Sequence, residues 1–413
     1  MNLKRTVCTL MVFLFVAAAA SICGAQQKAL KMDDPVKIGY LNPFTGPSTF
    51  DTMTDVPGMQ MAIEEINASG GVLGRPLKLI TRDDKNNPEV AVREARDLVN
   101  NEKVFYITGC TSSAAARAVS AFMKEQKKIY VIGIAKSEKL TGEWGHRYVF
   151  RSTNNAEMEA VALAKASSKI FGPLKKVYNL SPDYEGGRSA WRTFIDNYKK
   201  DVPDATVVGD VWAKLGTQDF TSHLTAIMNS GADLFFTSFY HSDALTMLKQ
   251  SMAIGLNGKI PTVGFWHGQP GVTQSFTPDF YPKKTIGGGV YAFWSITDPE
   301  AKKFTNDIKA KYGQYPGYGT SSYAFTKAMA NAINKIGALN TEKVIDALEG
   351  MTMSSPVGSM EIRACDHQVM WPTYVGEIGK LPGWKFYGTK DLVVYGAEAY
   401  PSCAEIAKTR GGK

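Results

Sequence analysis

The chain has 413 residues, 44% of them hydrophobic and 21% charged, with 38 glycines and 19 prolines. That composition excludes disordered, collagen-like and disulfide-dense classes, and the length allows two or three domains. The formal charge of +8 is mild and dispersed; no Lys/Arg block is dense enough to grip a phosphate backbone, which argues against nucleic acid as a partner.

Residues 1–25 read as a secretory leader. Lys4 and Arg5 form a positive start, 10–20 is an unbroken apolar run, and Cys23-Gly24-Ala25 offers small residues for cleavage before Gln26. The run falls short of the roughly 20 apolar residues a spanning helix needs. A retained N-terminal anchor, or a lipoprotein acylated on Cys23, stays open as an alternative, although Ile22 is bulky for a lipoprotein signal. The mature protein, at +6 once Lys4 and Arg5 are lost, is expected to be soluble and exported.

Strands and helices then alternate. Strands are expected over 37–41, 76–81, 104–108 and 128–134, with helices from Asp55 to the stop at Gly70-Gly71, from Pro88, and from Ser112. The strands are near-continuous apolar runs, as in a parallel sheet covered on both faces. The rhythm restarts after Arg151 and continues to the strand 261–264, so two αβ lobes are expected, each doubly wound. The last third supplies a strand at 287–292, helices over 299–312, 322–336 and 341–348, and short strands such as 371–378. Such a pattern suits a chain that returns to lobe one and then to lobe two. The expected division is 36–151 plus 288–355 for lobe one, and 152–287 plus 356–413 for lobe two.

Cys8 and Cys23 belong to the leader, leaving Cys110, Cys365 and Cys403. In an oxidising compartment two of three can pair, and Cys365 and Cys403 share the irregular C-terminal segment, so a disulfide between them is expected. Cys110 ends an apolar strand and reads as a small buried hydrophobe. The chain lacks G-x-S-x-G, H-E-x-x-H, a P-loop and G-x-G-x-x-G after a strand, and its five histidines are scattered. Asp83-Asp84 fits strand-end carboxylates capping a turn better than an acid/base pair or metal site. The expectation is a protein without catalysis, cofactor or metal.

One segment points to a ligand. Strand 104–108 runs through Gly109-Cys110-Thr111-Ser112-Ser113 directly into an Ala-rich helix. A helix N-terminus carries unpaired N–H groups and a positive dipole end, which suits a carboxylate, although an ordinary Ser/Thr cap explains the same residues.

The segments IGYLNPFTGP from Ile38, EEINASGGVLG from Glu64, DDKNNPEVA from Asp83, Gly109-x-x-x-Ser113, YEGG from Tyr184, and ADLFF from Ala232 with Leu248-Lys-Gln-Ser-x-x-x-Gly255 stand in an order that resembles the periplasmic solute-binding proteins of ABC importers, in the branch typified by leucine/isoleucine/valine binding. The resemblance implies two αβ lobes joined by three crossovers, a type I periplasmic binding protein fold. It also implies a periplasmic monomer that closes on a small molecule and is accepted by an ABC permease in the inner membrane. A receptor in place of the permease is the alternative.

Carried over residue by residue, the resemblance makes Ser113, with Ser112, the carboxylate site. Tyr184 packs over the ligand, Tyr240 is a second aromatic, Ala135 and Lys136 form a strand-end loop, and Phe50 and Asp51 form a first loop over the side-chain pocket. Lys136 departs from the Ala-Thr pair of amino-acid binders. Phe265-Trp266-His267-Gly268 stands where those binders place a carboxylate for the α-ammonium group. An ammonium buried without a counter-charge costs several kcal/mol, on the order of 3–5. Either Asp51 or Asp243 substitutes, or the ligand lacks the ammonium and Lys136 pairs its carboxylate while Trp266, Phe239, Tyr240 and Tyr184 wall its body. The ligand is expected to be an amino acid or related small hydrophobic carboxylate, with an aromatic acid as the alternative.

Overall fold

Each half of the chain builds the same unit from alternating apolar strands and amphipathic helices. The computed structural model describes residue 31 and residues 34–46 and 48–409, so the expected leader and its cleavage site lie outside the described residues. Lobe one contains β1 (Val36–Asn42), α1 (Thr49–Ala68), β2 (Leu77–Asp83), α2 (Pro88–Asn100), β3 (Tyr106–Gly109), α3 (Ser113–Glu125), β4 (Tyr130–Ile132) and β5 (Val149–Arg151). Its sheet runs β2-β1-β3-β4-β5, all parallel. One face packs Leu41, Ile107 and Tyr130 against Ala91 and Leu98 of α2 and Val119 of α3. The other buries Ile38, Tyr40 and Val131 with Met59 and Ile63 of α1.

Lobe two opens with α4 (Ala156–Phe171) and continues through β6 (Lys176–Pro182), α5 (Glu185–Asp201), β7 (Thr206–Ala213), α6 (Thr221–Asn229), β8 (Leu234–Thr237), α7 (His241–Ala253), β9 (Thr262–Gly264), α8 (Pro270–Thr273) and β10 (Thr285–Gly289). The parallel part is ordered β7-β6-β8-β9-β10, the same winding as lobe one. The chain then forms α9 (Pro299–Tyr312), α10 (Gly319–Ile336), α11 (Thr341–Leu348) and the hairpin β11 (Thr352–Ser355) and β12 (Gly358–Glu361), and finally β13 (Thr373–Lys380), β14 (Tyr387–Tyr395) and α12 (Cys403–Thr409). Strands β13 and β14 extend the second sheet antiparallel beyond β10.

The lobes are joined by three crossovers, after β5, after β10 and before β13. The first and third run side by side: Arg151 N–H donates to His367 O at 3.0 Å, Val369 N–H to Arg151 O at 3.0 Å, and Gln368 Nε2 to Thr153 O at 2.6 Å. Trp371 Nε1 ties the third to the second by donating to Val290 O at 2.8 Å. The Cys365–Cys403 disulfide is present and fastens α12 to this region.

Several boundaries differ from the sequence expectation by a few residues, and three of the differences have a physical cause. Helix α1 begins at Thr49, ahead of Asp55, and carries Pro57 inside it; the proline and two acids in its early turns hide the start. A switch to lobe one at 288 falls inside β10, whose Thr285, Ile286 and Gly287 pair with β9. The return to lobe two comes after Trp371 and not at 356, because Met353, Ile362, Val369 and Trp371 are buried in the lobe-one core.

The glycine run in β10 has a steric cause. A Cβ on Gly287 would meet Gly268 N at 2.5 Å, and one on Gly289 would meet Gly268 O at 2.6 Å. The loop after β9 therefore lies flat on β10, which fixes the backbone of Trp266 and Gln269.

Candidate functional site

In a doubly wound sheet the ligand crevice forms outside the strands' carboxyl ends, where the winding reverses. Here the two reversals, β1/β3 and β6/β8, face each other across the gap between the lobes. A cavity of about 150 Å³ lies between them. Lobe one contributes Asp51, Asn86, Thr111, Ser112, Ser113, Ile134 and Lys136, and Tyr318 from the segment before α10. Lobe two contributes Tyr184, Leu215, Tyr240, His241, Trp266, Gln269 and Val272.

The lobe-one wall starts at Gly109. Its φ is +124°, and a Cβ there would lie 1.9 Å from Leu41 O, so only glycine lets β3 press against β1 and turn sharply into α3. Cys110 follows at φ +62°, fully buried, with burial pushing its thiol pKa up; it packs and does not react. Ser112 is the N-cap of α3, its Oγ accepting from Ala115 N–H at 3.4 Å. Ser113 Oγ accepts from Ser137 N–H at 3.2 Å. A hydroxyl has one proton to give, so this bond leaves Ser113 able to donate beside the first-turn amides of α3.

Lys136 lines the cavity, but its charge is already taken. Nζ lies 2.6 Å from Glu159 Oε1, with side-chain exposures of 5% and 0%, and donates to Asn154 Oδ1 at 2.7 Å. The ring centroids of Tyr318 and Trp266 stand 5.0 and 5.5 Å from the ammonium. Burial lowers the Lys136 pKa and raises that of Glu159. Glu159 sits in the first turn of α4, so the pair spans the two lobes.

Asp51 is likewise engaged across the gap, 2.9 Å from His241 Nε2. Burial lowers the His241 pKa, but the Asp51 charge and hydrogen bond, with Asp243 beyond, outweigh it and the net shift is upward. Asp243 does not line the cavity; its carboxylate accepts from Gly216 N–H at 2.8 Å. Further contacts tie the rims: Lys139 to Glu185 at 2.8 Å, and Glu138 to Arg192 at 3.0 Å and to Ser189.

The remaining walls are aromatic. Tyr184 and Tyr240, each at the N-cap position of its helix, meet edge to face at 6.2 Å, and Tyr240 meets Trp266 at 6.1 Å. Trp266 Nε1 and both amide atoms of Gln269 are buried and have no hydrogen-bond partner among the described residues.

Of the residues singled out from sequence, Asp51, Ser112, Ser113, Lys136, Tyr184, Tyr240 and Trp266 converge on the cavity. Phe50, Ala135 and His267 do not. Phe50 packs at the rim against Gly271 and the His241 ring. Ala135 is fully buried and offers its carbonyl to Arg151. His267 turns back under β9, where a Cβ on Gly264 would meet its Nδ1 at 2.0 Å, and burial pushes its pKa down to about 4. Phe239 packs behind the site against Phe220. His241, Gln269, Tyr318 and Glu159 were not singled out. Asp83 and Asp84 accept turn amides, from Lys85 N–H and Asn86 N–H, both at 2.9 Å. Among the described residues no cluster of three or more His, Cys, Asp or Glu side chains forms a metal site, and no helix is long and apolar enough to cross a membrane.

Two facing doubly wound lobes, three crossovers and a polar-and-aromatic cavity between them are the architecture of a solute-binding protein. The chain belongs to the periplasmic binding protein family, in its leucine/isoleucine/valine-binding, type I branch: the family model described as periplasmic binding protein matches residues 35–381. Leu/Ile/Val-binding protein homolog 4 of Brucella melitensis is 25% identical over 410 residues, covering 92% of this chain and 93% of its own. The leucine-, isoleucine-, valine-, threonine- and alanine-binding protein of Pseudomonas aeruginosa is 25% identical over 353 residues, covering 83% and 89%. Among solved structures, an ABC-transporter solute-binding protein from R. palustris in complex with 4-hydroxybenzoate superposes with TM-score 0.77 at 24% identity, covering 88% of this chain and 97% of that one. An amino acid ABC transporter substrate-binding protein from Pseudomonas fluorescens Pf-5 superposes with TM-score 0.80 at 20% identity, covering 92% and 99%. At these identities the two structures speak for the fold alone. The family makes this chain a substrate-binding protein of the ABC-transporter type, and implies the periplasm.

Proposed function

We propose that the interlobe cavity captures a small carboxylate with a ring-bearing hydrophobic body and no α-ammonium group, and presents it unchanged to an ABC permease in the inner membrane. The carboxylate sits at the α3 N-terminus with Ser113, and Tyr184, Tyr240 and Trp266 enclose the ring. The observation that carries this reading is the charge balance of the lining. Its one acid among the described residues, Asp51, is already paired with His241 at 2.9 Å, so a buried ammonium would have no carboxylate of its own. The size agrees, since an apolar cavity of about 150 Å³ holds a benzene-sized ring. Proteins of the same fold are found in complex with 4-hydroxybenzoate, 3,4-dihydroxybenzoic acid and benzoate, so the fold accommodates this class.

The relatives named for leucine, isoleucine and valine binding favour a second reading, an aliphatic amino acid whose ammonium takes Asp51 from His241. Thermal-shift titration separates the two. A ligand at 100 times its Kd stabilises by about 2.7 kcal/mol, so benzoic acids should raise the melting temperature measurably and leucine should not. Stabilisation by leucine alone would overturn the proposal.

A further inference from the structure

Behind the cavity, Lys136 is connected to the far end of the chain. Its Nζ donates to Asn154 Oδ1 at 2.7 Å, on the first crossover. Asn154 Nδ2 donates to Thr373 Oγ1 at 2.9 Å, at the start of β13, and Thr373 Oγ1 lies 3.2 Å from the Tyr400 hydroxyl in the segment before α12. Asn154 and Thr373 are fully buried and Tyr400 nearly so. The proton directions are fixed from both ends. An ammonium only donates, so Asn154 must turn its oxygen to Lys136 and its amide nitrogen to Thr373. At the other end Tyr400 gives its one proton to a carbonyl, Trp371 O at 2.9 Å or Tyr395 O at 3.2 Å, so its oxygen accepts from Thr373. Each bond in this one-way series polarises the next. The tail that carries Tyr400 is tied down twice: Cys403 is bonded to Cys365 on the third crossover, and Arg363 Nη1 donates to Pro401 O at 2.6 Å.

We infer that Tyr400 is a positioning residue of the binding site: acting through Thr373 and Asn154, it keeps Lys136 aimed at Glu159, and the disulfide-held tail thereby supports the cavity wall. Without the phenol oxygen, the Thr373 proton loses its acceptor. Among these groups it finds another only if Asn154 turns over, which would point an amide NH2 at the ammonium. The Lys136–Glu159 pair spans the lobes, so whatever loosens it lowers the preference for the closed form, whichever acid the cavity holds.

The test is Tyr400→Phe, which removes one oxygen and keeps the ring. The full chain is titrated calorimetrically with benzoate and with leucine. The acid that binds the wild type should bind the variant about 3- to 10-fold more weakly, the range of one buried hydrogen bond. A role confined to packing the tail would give the same loss whatever stands at position 136. Tyr400→Phe is therefore repeated on Lys136→Met with Glu159→Leu, where the loss should shrink to about twofold or less. Unchanged affinity in Tyr400→Phe, or an equal loss on both backgrounds, would overturn the inference. Hydrogen exchange of the ligand-free chain decides on its own if neither acid binds or the background variant misfolds. Ala156 N–H donates to Lys136 O at 2.8 Å, so peptides across 152–158 should exchange about 3- to 10-fold faster in Tyr400→Phe. Faster exchange confined to 396–409 would overturn the inference.

Discussion

Glu159→Gln is the sharpest test of what Lys136 is for. The substitution keeps the side chain's shape and removes its charge, leaving an ammonium that is 5% exposed with only Asn154 and two ring faces around it. Lys136 then has two courses. Remaining charged without a counter-ion in the interior costs about 3–5 kcal/mol. Shedding its proton at pH 7 costs about 4.6 kcal/mol, from an unperturbed pKa near 10.4 at about 1.36 kcal/mol per pH unit. Both courses point to a loss of about 3–5 kcal/mol, which for lobes of this size lowers the melting temperature by roughly 10 °C. Circular-dichroism melts at pH 7 read it directly. The double variant Lys136→Met with Glu159→Leu should recover most of the loss, because a packed apolar pair replaces a buried ion pair at little net cost. If Glu159→Gln melts within about 2 °C of the wild type yet loses ligand affinity, Lys136 spends its charge on the ligand and the structural account of the pair is wrong.

Ser113→Ala removes the hydroxyl proton proposed for the ligand carboxylate and should weaken binding by about 1–3 kcal/mol; unchanged affinity in a calorimetric titration would remove Ser113 from the site. The Asp51–His241 contact predicts a pH dependence. Because Asp51 raises the His241 pKa in the closed form, the pair's stabilisation is fully present below the ordinary histidine value, about 6.5, and is lost as pH rises through the raised one. Affinity should therefore fall from pH 6 towards pH 9 in the wild type and stay flatter in Asp51→Asn; a flat wild-type profile would refute the coupling.

Much of the architecture was legible because apolar strands and amphipathic helices are local patterns. The Ser113 turn was legible for a related reason, that strand ends are where such sheets place their sites, whereas Tyr184 and Tyr240 came only from the family resemblance. What stayed hidden depends on which way a side chain points and what it meets from the other lobe. His267 follows the same strand as Trp266, yet turns under Gly264 because the loop is pinned on the β10 glycines. Lys136 looked like a free cation because Glu159, in the first turn of the next lobe's helix, reads as an ordinary acid complementing the helix dipole. Asp51 looked available for the same reason, its histidine lying 190 residues further on in the other lobe. The switch at 288 was misplaced because a glycine run carries no side-chain pattern to say which sheet it joins.

These long-range contacts also bear on how closure is coupled to the ligand. The rim pairs Lys139–Glu185 and Arg192–Glu138 are partly solvent-exposed, and pairs of that kind contribute about 0–1 kcal/mol each. Shifting a two-state protein from mostly open to mostly closed takes about 5.5 kcal/mol of preference for the closed form, more than such pairs supply. On the proposed reading, a buried ring contributes about 2–3 kcal/mol, and the hydrogen bond at Ser113 adds to it. On that reading the solute, and not the rim pairs, supplies most of the preference for the closed form, which ties closure to an occupied cavity.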